Sequence, residues 1–333
     1  MDMMLKIAKL CREEDYDNII VKRCKKFSIH SFVKLILFLF SWFINVFKLP
    51  RYTINEKIII LTKCMEYYDI QRQINSVVCY NYHLCVLRYD SDSDQNFISQ
   101  LFNSRKIQTV TLQHGVMLRS RPQLSNNIDF NGLEFRSFVS DYFIVWNTFT
   151  KNEAVKSGIE EKKIRVLGVA KCIGYDIIVP ASNKIIGIIL DGEYEKENNP
   201  LMISIVSKFC NKFGFKYIIR YHPDFHGNEY NEILDANGSV CKKSINLQNF
   251  LQNIELCIVA NSTVLFELEY YKFPFLNFST GSEKDKFKDY NSNKFYDYVS
   301  MTKAYNKIKV EHTSEEANGK FIADNYRNFF YSF

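Results

Sequence analysis

The chain is short of the residues that mark several protein classes. Its 333 residues hold only 12 Gly and 6 Pro, which excludes collagen-like and low-complexity architectures. Charge of one sign is nearly balanced by the other: 43 Lys and Arg against 37 Asp and Glu leave +6. That excess is too small to signal a nucleic-acid partner, but it suits an anionic small ligand or an anionic membrane. Charged residues amount to 24%, which excludes wholesale disorder. No two cysteines have CxxC spacing, and the total of 9 is odd, so neither a disulfide framework nor a zinc site is expected. The first residues lack the apolar core of a signal peptide, and a cytoplasmic protein is expected. The glycine-rich dinucleotide motif and the Walker loop are both missing, and no acidic pair stands convincingly at a strand end to hold a metal. Asp90, Asp92 and Asp94 read as a polar loop leading into a helix.

Apolar and aromatic residues are plentiful. They make up 47% and 15%, with 28 Phe and 21 Tyr, enough for two ordinary cores. Part of the excess lies in FVKLILFLFSWFINVF, residues 32–47. As a helix this run would be about 24 Å long, short of a bilayer core of about 30 Å. Lys34, Ser41 and Asn45 fall on one narrow stripe of it, and Lys25, Lys26, Lys48 and Arg51 flank it. It reads either as a mostly buried helix or as one lying on the anionic inner face of a membrane. Residues 1–55 therefore form a separate N-terminal segment.

From Lys57 on, short apolar runs alternate with helical patterns. KIIIL (57–61), SVVCY (76–80), IQTVTL (107–112), YFIVW (142–146) and KIRVLG (163–168) read as strands. Residues 93–105 and 148–158 read as helices. A second series follows the irregular stretch 177–184: strands at 185–190, 216–221, 255–260 and 273–278, helices at 200–213, 227–235, 246–253 and 263–271. Continuous apolar strands separated by helices imply parallel sheets covered on both faces. The fold class expected is α/β, with two Rossmann-like domains, 56–176 and 185–333, facing each other across a cleft. The second would carry a C-terminal helical tail.

Ligands of such sheets bind at the carboxyl ends of the strands. Gln113-His114-Gly115 follows one strand; the glycine permits a sharp turn that points His114 into the crevice. A neutral imidazole there could take a proton from a hydroxyl or bind an acceptor. The loop beyond carries Arg119 and Arg121, suited to an anionic sugar or acceptor. Asp191-Gly192 follows 185–190, and Asp191 could act as a base, contact a sugar or cap the turn. His222-Pro223 ends 216–221; proline stiffens the backbone so that His222 projects as a donor to phosphate, with Arg220 on the same side of the strand. His226 is a weaker candidate. Asn261-Ser262-Thr263 opens a helix, where hydroxyls and free N–H groups bind anions. Glu267 lies one turn on and could hydrogen-bond a ribose diol.

The succession QHG (113–115), SDYFIVWN (140–147), KKIRVLG (162–168), YHP (221–223) and NSTVLFE (261–267) resembles bacterial GT-B glycosyltransferases of surface-polysaccharide synthesis. The nearest groups are capsule Kdo- and sialyltransferase-like enzymes and teichoic-acid glycerophosphotransferases. The resemblance implies nucleotide contacts from His222, Ser262 and Thr263, a base at His114, and a metal-independent reaction without cofactor. The expected function is transfer of a sugar from a nucleotide donor, CMP-sugar favoured and UDP-sugar allowed, to a hydroxyl of a glycan or lipid-linked glycan of capsule or lipopolysaccharide. The alternatives are a glycerophosphotransferase, a sugar-nucleotide epimerase of the same architecture, and a non-catalytic glycan-binding accessory protein.

Overall fold

The structure is a computed structural model. It describes residues 51–77, 82–88, 93–115, 138–175, 178–223, 227–281, 293–311 and 319–333, with isolated positions between, among them Lys6, Phe40 and Asp90. The apolar run 32–47, apart from Phe40, lies outside the described residues, as do Arg119, Arg121 and His226.

Two parallel sheets organise the chain. The first runs β1 (Leu84–Leu87), β2 (Gln108–Leu112), β3 (Tyr142–Val145), β4 (Ile164–Val166), side by side in chain order. Helices α1 (Ile54–Val77), α2 (Ser93–Ser104) and α3 (Thr148–Lys156) accompany it. The run KIIIL, expected as a strand, is instead part of α1. Its start is a capping box: Glu56 accepts from the backbone N–H of Thr53 at 2.7 Å, and Thr53 Oγ1 accepts from Glu56 N at 3.3 Å. Of the expected strand 76–80, residues 76 and 77 end α1 and the rest lie outside the described residues. Ile70 and Ile74 of α1 pack on Phe102 of α2.

The second sheet has six strands in the order β10-β9-β8-β5-β6-β7, all parallel. These are β5 (Ile185–Ile189), β6 (Lys216–Arg220), β7 (Gly238–Val240), β8 (Leu256–Val259), β9 (Phe275–Phe278) and β10 (Lys294–Phe295). The chain enters at the centre, runs outward through β6 and β7, then returns to the other side of β5 at β8. That reversal creates a crevice beyond the carboxyl ends of β5 and β8. The run IIGIIL is apolar throughout because both faces are covered: Ile186, Ile188 and Leu190 face one cluster, Ile189 the other.

Helix α4 (Asn199–Phe213) covers one face with Met202, Ile203, Val206 and Phe209. Pro200 opens it, and Gly214 closes it at φ +70. Helices α5 (Leu247–Leu251), α6 (Val264–Tyr270) and α7 (Tyr298–Glu311) complete the domain. Residues 227–235, expected as a helix, form only a single 3₁₀ turn at Asn231–Ile233.

The last helix, α8 (Gly319–Phe330), departs from the expectation of a tail on the second domain. Ile322, Tyr326 and Phe330 recur every four residues and are all buried. They pack on the first domain and the connection: Tyr326 donates to the carbonyl of Gly168 at 3.1 Å, and Phe329 and Phe333 meet Tyr142 edge-on. Among the described residues no helix is long and apolar enough to cross a membrane.

Candidate functional site

Each strand of the first sheet delivers a side chain at its carboxyl end. Arg88 follows β1, residues 113–115 follow β2, and Trp146 follows β3. After β4 the chain makes a 3₁₀ turn, Ala170–Cys172, that presents Lys171. Gln113 is fully buried, and its amide is used inside the fold. It donates to the carbonyl of Gly115 at 2.8 Å and to Thr150 Oγ1 at 3.2 Å, and accepts from Trp146 N at 2.7 Å. Its side chain thereby positions the turn and Trp146. His114 is partly buried. Burial, with the positive charges of Arg88 and Lys171, pushes its imidazole down to about 4. It is thus a neutral hydrogen-bonding ring at physiological pH and a weak base toward a hydroxyl.

In the second domain Asp191 sits at the reversal between β5 and β8. It is 1% exposed, and its Oδ1 accepts from the backbone N–H of Asn261 at 2.9 Å. Asn199 grips its backbone from both sides, accepting from Asp191 N at 3.0 Å and donating to Asp191 O at 3.2 Å. The carboxylate therefore ties the ends of the two central strands together. Gly192 follows because a side chain there would crowd His222: an added Cβ would lie 3.3 Å from Nδ1. His222 is partly buried, and Pro223 is exposed beside it. Arg220 is anchored within the second domain and close enough to Glu267 to act on its charge. Its guanidinium donates to Ile245 O at 2.6 Å and lies over the Phe250 ring. Ser262 Oγ accepts from Val264 N at 3.3 Å, while Thr263 makes no capping bond with its hydroxyl.

The two sets of strand ends meet. Trp146 lies edge-on to Phe266 at 6.2 Å between ring centres. Lys171 Nζ stands 3.7 Å from Glu267 Oε1 and 5.2 Å from the Trp146 ring centre. Glu267 is almost wholly buried, which raises its carboxyl, while Lys171, Lys6 and Arg220 pull it back toward the charged form. Lys6 reaches the same region, donating to the carbonyls of Lys171 at 2.5 Å and Ile173 at 3.1 Å. The indole N–H of Trp146 is buried and makes no hydrogen bond among the described residues. A buried carboxylate, several cations and a neutral imidazole thus line the junction of the domains.

No protein-family model and no curated protein matches the chain. Solved structures do. UDP-GlcNAc 2-epimerase from Neisseria meningitidis, bound to UDP-GlcNAc, superposes at TM-score 0.55 with 12% identity, over 99% of this chain and 97% of that one. The S. aureus MnaA–UDP co-structure gives 0.56 and 11%, over 98% and 87%. The Methanocaldococcus jannaschii UDP-GlcNAc 2-epimerase in complex with UDP-GlcNAc and UDP gives 0.51 and 16%, over 81% and 82%. The chain shares their two-domain fold.

Sequence reasoning brought His114, His222, Ser262 and Thr263 to strand ends and Glu267 one helical turn beyond, and the structure has them at those positions. It missed Arg88, Trp146 and Lys171. The strand-end rule applied to HLCVLRY and YFIVW finds the first two. Lys171 carried no signal beyond a basic residue shortly after KIRVLG, because its importance comes from Glu267, which is remote in sequence.

Proposed function

We propose that this protein acts on a nucleoside-diphosphate sugar held between its domains, and that the reaction is epimerisation of the sugar. The observation that carries the reading is the Lys171–Glu267 pair at the junction of both sets of strand ends, with neutral His114 beside it. An anionic diphosphate placed there meets Lys171 and Arg88 on the first-domain side and His222, Ser262 and Thr263 on the second. Glu267 fixes Lys171 and faces the ribose. Binding the diphosphate offsets the two cations and so raises the His114 imidazole toward a useful proton carrier. The choice of epimerisation is supported by the fold shared with UDP-GlcNAc 2-epimerases and with proteins solved with UDP bound. These make a UDP-sugar the favoured ligand over a CMP-sugar. Glycosyl transfer is the second reading, favoured by the QHG, YHP and NST motifs, with the acceptor hydroxyl at His114. Asp191, held between two strand ends, contributes by positioning.

The test is incubation with UDP-GlcNAc in deuterated water, followed by proton NMR. Epimerisation through deprotonation yields a second epimer carrying solvent deuterium. Transfer yields no deuterium and releases nucleotide only when an acceptor is added. By calorimetry, His222→Ala is expected to weaken UDP binding at least about tenfold, roughly the worth of one charge-assisted phosphate contact. If neither UDP nor CMP binds the wild-type protein, the reading is wrong.

A further inference from the structure

The opposite edge of the first sheet holds a second concentration of charge. Gln108, Tyr142 and Ile164 begin β2, β3 and β4, so the region around them is the amino edge. Strand β2 has five residues, which puts this edge roughly 15 Å from the carboxyl-end site. A cavity of about 520 Å³ opens here, lined by Lys106, Gln108, Tyr142, Lys162, Lys163 and Arg165 among others. A neighbouring cavity of about 450 Å³ shares Lys106, Gln108, Tyr142 and Arg165 with it and adds His83 and Phe329.

The cations in this groove outnumber the carboxylates that pair with them. Lys162 pairs with Glu160 at 2.7 Å. Among the described residues, however, no carboxylate forms an ion pair with Lys106, Lys163 or Arg165. Lys163 lies over the Phe138 ring, and Arg165 lies over Tyr142 while donating to the carbonyls of Lys162 and Ile164. Arg165 is thereby held in place by backbone and aromatic contacts. The carboxylate lining the groove is Asp141, and it is engaged inward: Oδ2 accepts from Thr109 N at 2.9 Å and Thr109 Oγ1 at 3.2 Å. Several like charges gathered round one cavity repel each other, and an anion bound among them removes that repulsion.

We propose that this groove is a second anion site, taking a phosphate ester or diphosphate with at least two negative charges. A planar guanidinium backed by Tyr142 suits bidentate contact to phosphate oxygens, with Lys106 and Lys163 closing from the sides. The site is separate from the carboxyl-end site and does not depend on the reaction proposed there.

Lys106 supplies a clean test. It adopts φ +62, in the turn from α2 into β2, where Lys106 N donates to Asn103 O and Ile107 N to Phe102 O. Glycine is the usual residue at such a helix end, so Lys106→Gly removes the charge while easing the backbone. Calorimetric titration of the full chain with pyrophosphate is expected to show two sites in wild type. K106G/K163Q should keep one, its lost site weakened at least tenfold, while His222→Ala should keep the other. Binding at the groove should weaken as salt rises. Two arms separate the sources of phosphate: competition by UDP, and sedimentation with phosphatidylglycerol vesicles. Loss of either in K106G/K163Q upholds the site and tells a soluble ligand from a headgroup. Unchanged pyrophosphate binding in K106G/K163Q, or no saturable binding by wild type beyond the site that His222→Ala removes, overturns the proposal. Failure of the nucleotide reading alone would leave the groove site intact and His222→Ala without effect.

Discussion

His114 shows how a single residue is set by its surroundings. As a sequence feature it was a histidine at a glycine turn. In the fold it faces Arg88 and Lys171 in a partly buried position, and its imidazole falls from the ordinary 6.5 to about 4. The sign of the linked stability follows. Between those values the unfolded chain takes up a proton that the folded chain refuses, so His114 makes stability fall as the pH drops through that window. The ceiling on this loss is about 3 kcal/mol. His114→Gln should lose less stability than wild type on acidification across the same window, read by urea denaturation at a series of pH values. Parallel curves for the two proteins would mean that neither burial nor those cations lowers the imidazole. Asp191 makes the complementary point. Its Asp-Gly pair looked like turn chemistry or a base, and its carboxylate proves to bind Asn261 N across a strand gap that no local pattern records.

At the scale of elements, most of the second domain was legible. Strands β5, β6, β8 and β9 and helices α4, α5 and α6 fall where apolar runs and periodicity put them. The failures have local causes. KIIIL is a short apolar run of the kind that periodicity cannot divide between strand and helix, and the capping box Thr53–Glu56 four residues upstream decides it. Residues 227–235 carry helical composition, but Gly227 at φ +102 and the bonds from Gly227 N and Asn228 N to Glu229 commit them to turns. Gly187 explains how α5 seats on the sheet. A Cβ there would lie 2.4 Å from Ile254 Cδ1 and 2.7 Å from Phe250 Cζ. Gly187→Ala should therefore cost about 1–3 kcal/mol by overpacking, seen as a lower urea midpoint at unchanged slope. Phe250→Leu added to it should recover part of the loss. A wild-type midpoint for Gly187→Ala would show that α5 does not press on β5.

At the scale of the molecule, the domains are joined by one continuous core. Val110, Leu112 and Trp146 of the first domain share a cluster with Ile189, Val259 and Phe266 of the second. Set into that junction, the Lys171–Glu267 pair is partly shielded from water, and Lys171 remains 38% exposed. Removing one partner from a fully buried pair costs about 3–5 kcal/mol; solvent at Lys171 reduces this to about 1–2 kcal/mol. Lys171→Met should destabilise by that amount, and Lys171→Met/Glu267→Gln should lose less than the sum of its single variants. Strict additivity would show that the two groups do not interact. Helix α8 closes the arrangement by returning to the first domain, where Gly168 at φ +98 leaves room for Ile322.

The sequence by itself determined the α/β alternation, the two series of parallel strands and the strand ends at which His114, His222 and Ser262 stand. These follow from short-range order, because apolar periodicity and turn chemistry act within a few residues. Only the tertiary structure decided which ends meet, that Lys171 serves Glu267, that Gln113 and Asp191 hold the site from within, and that cations gather at the far edge of the first sheet. Those outcomes depend on burial and on charges brought together from distant parts of the chain, and a field between remote residues exists only once the fold has set their separation.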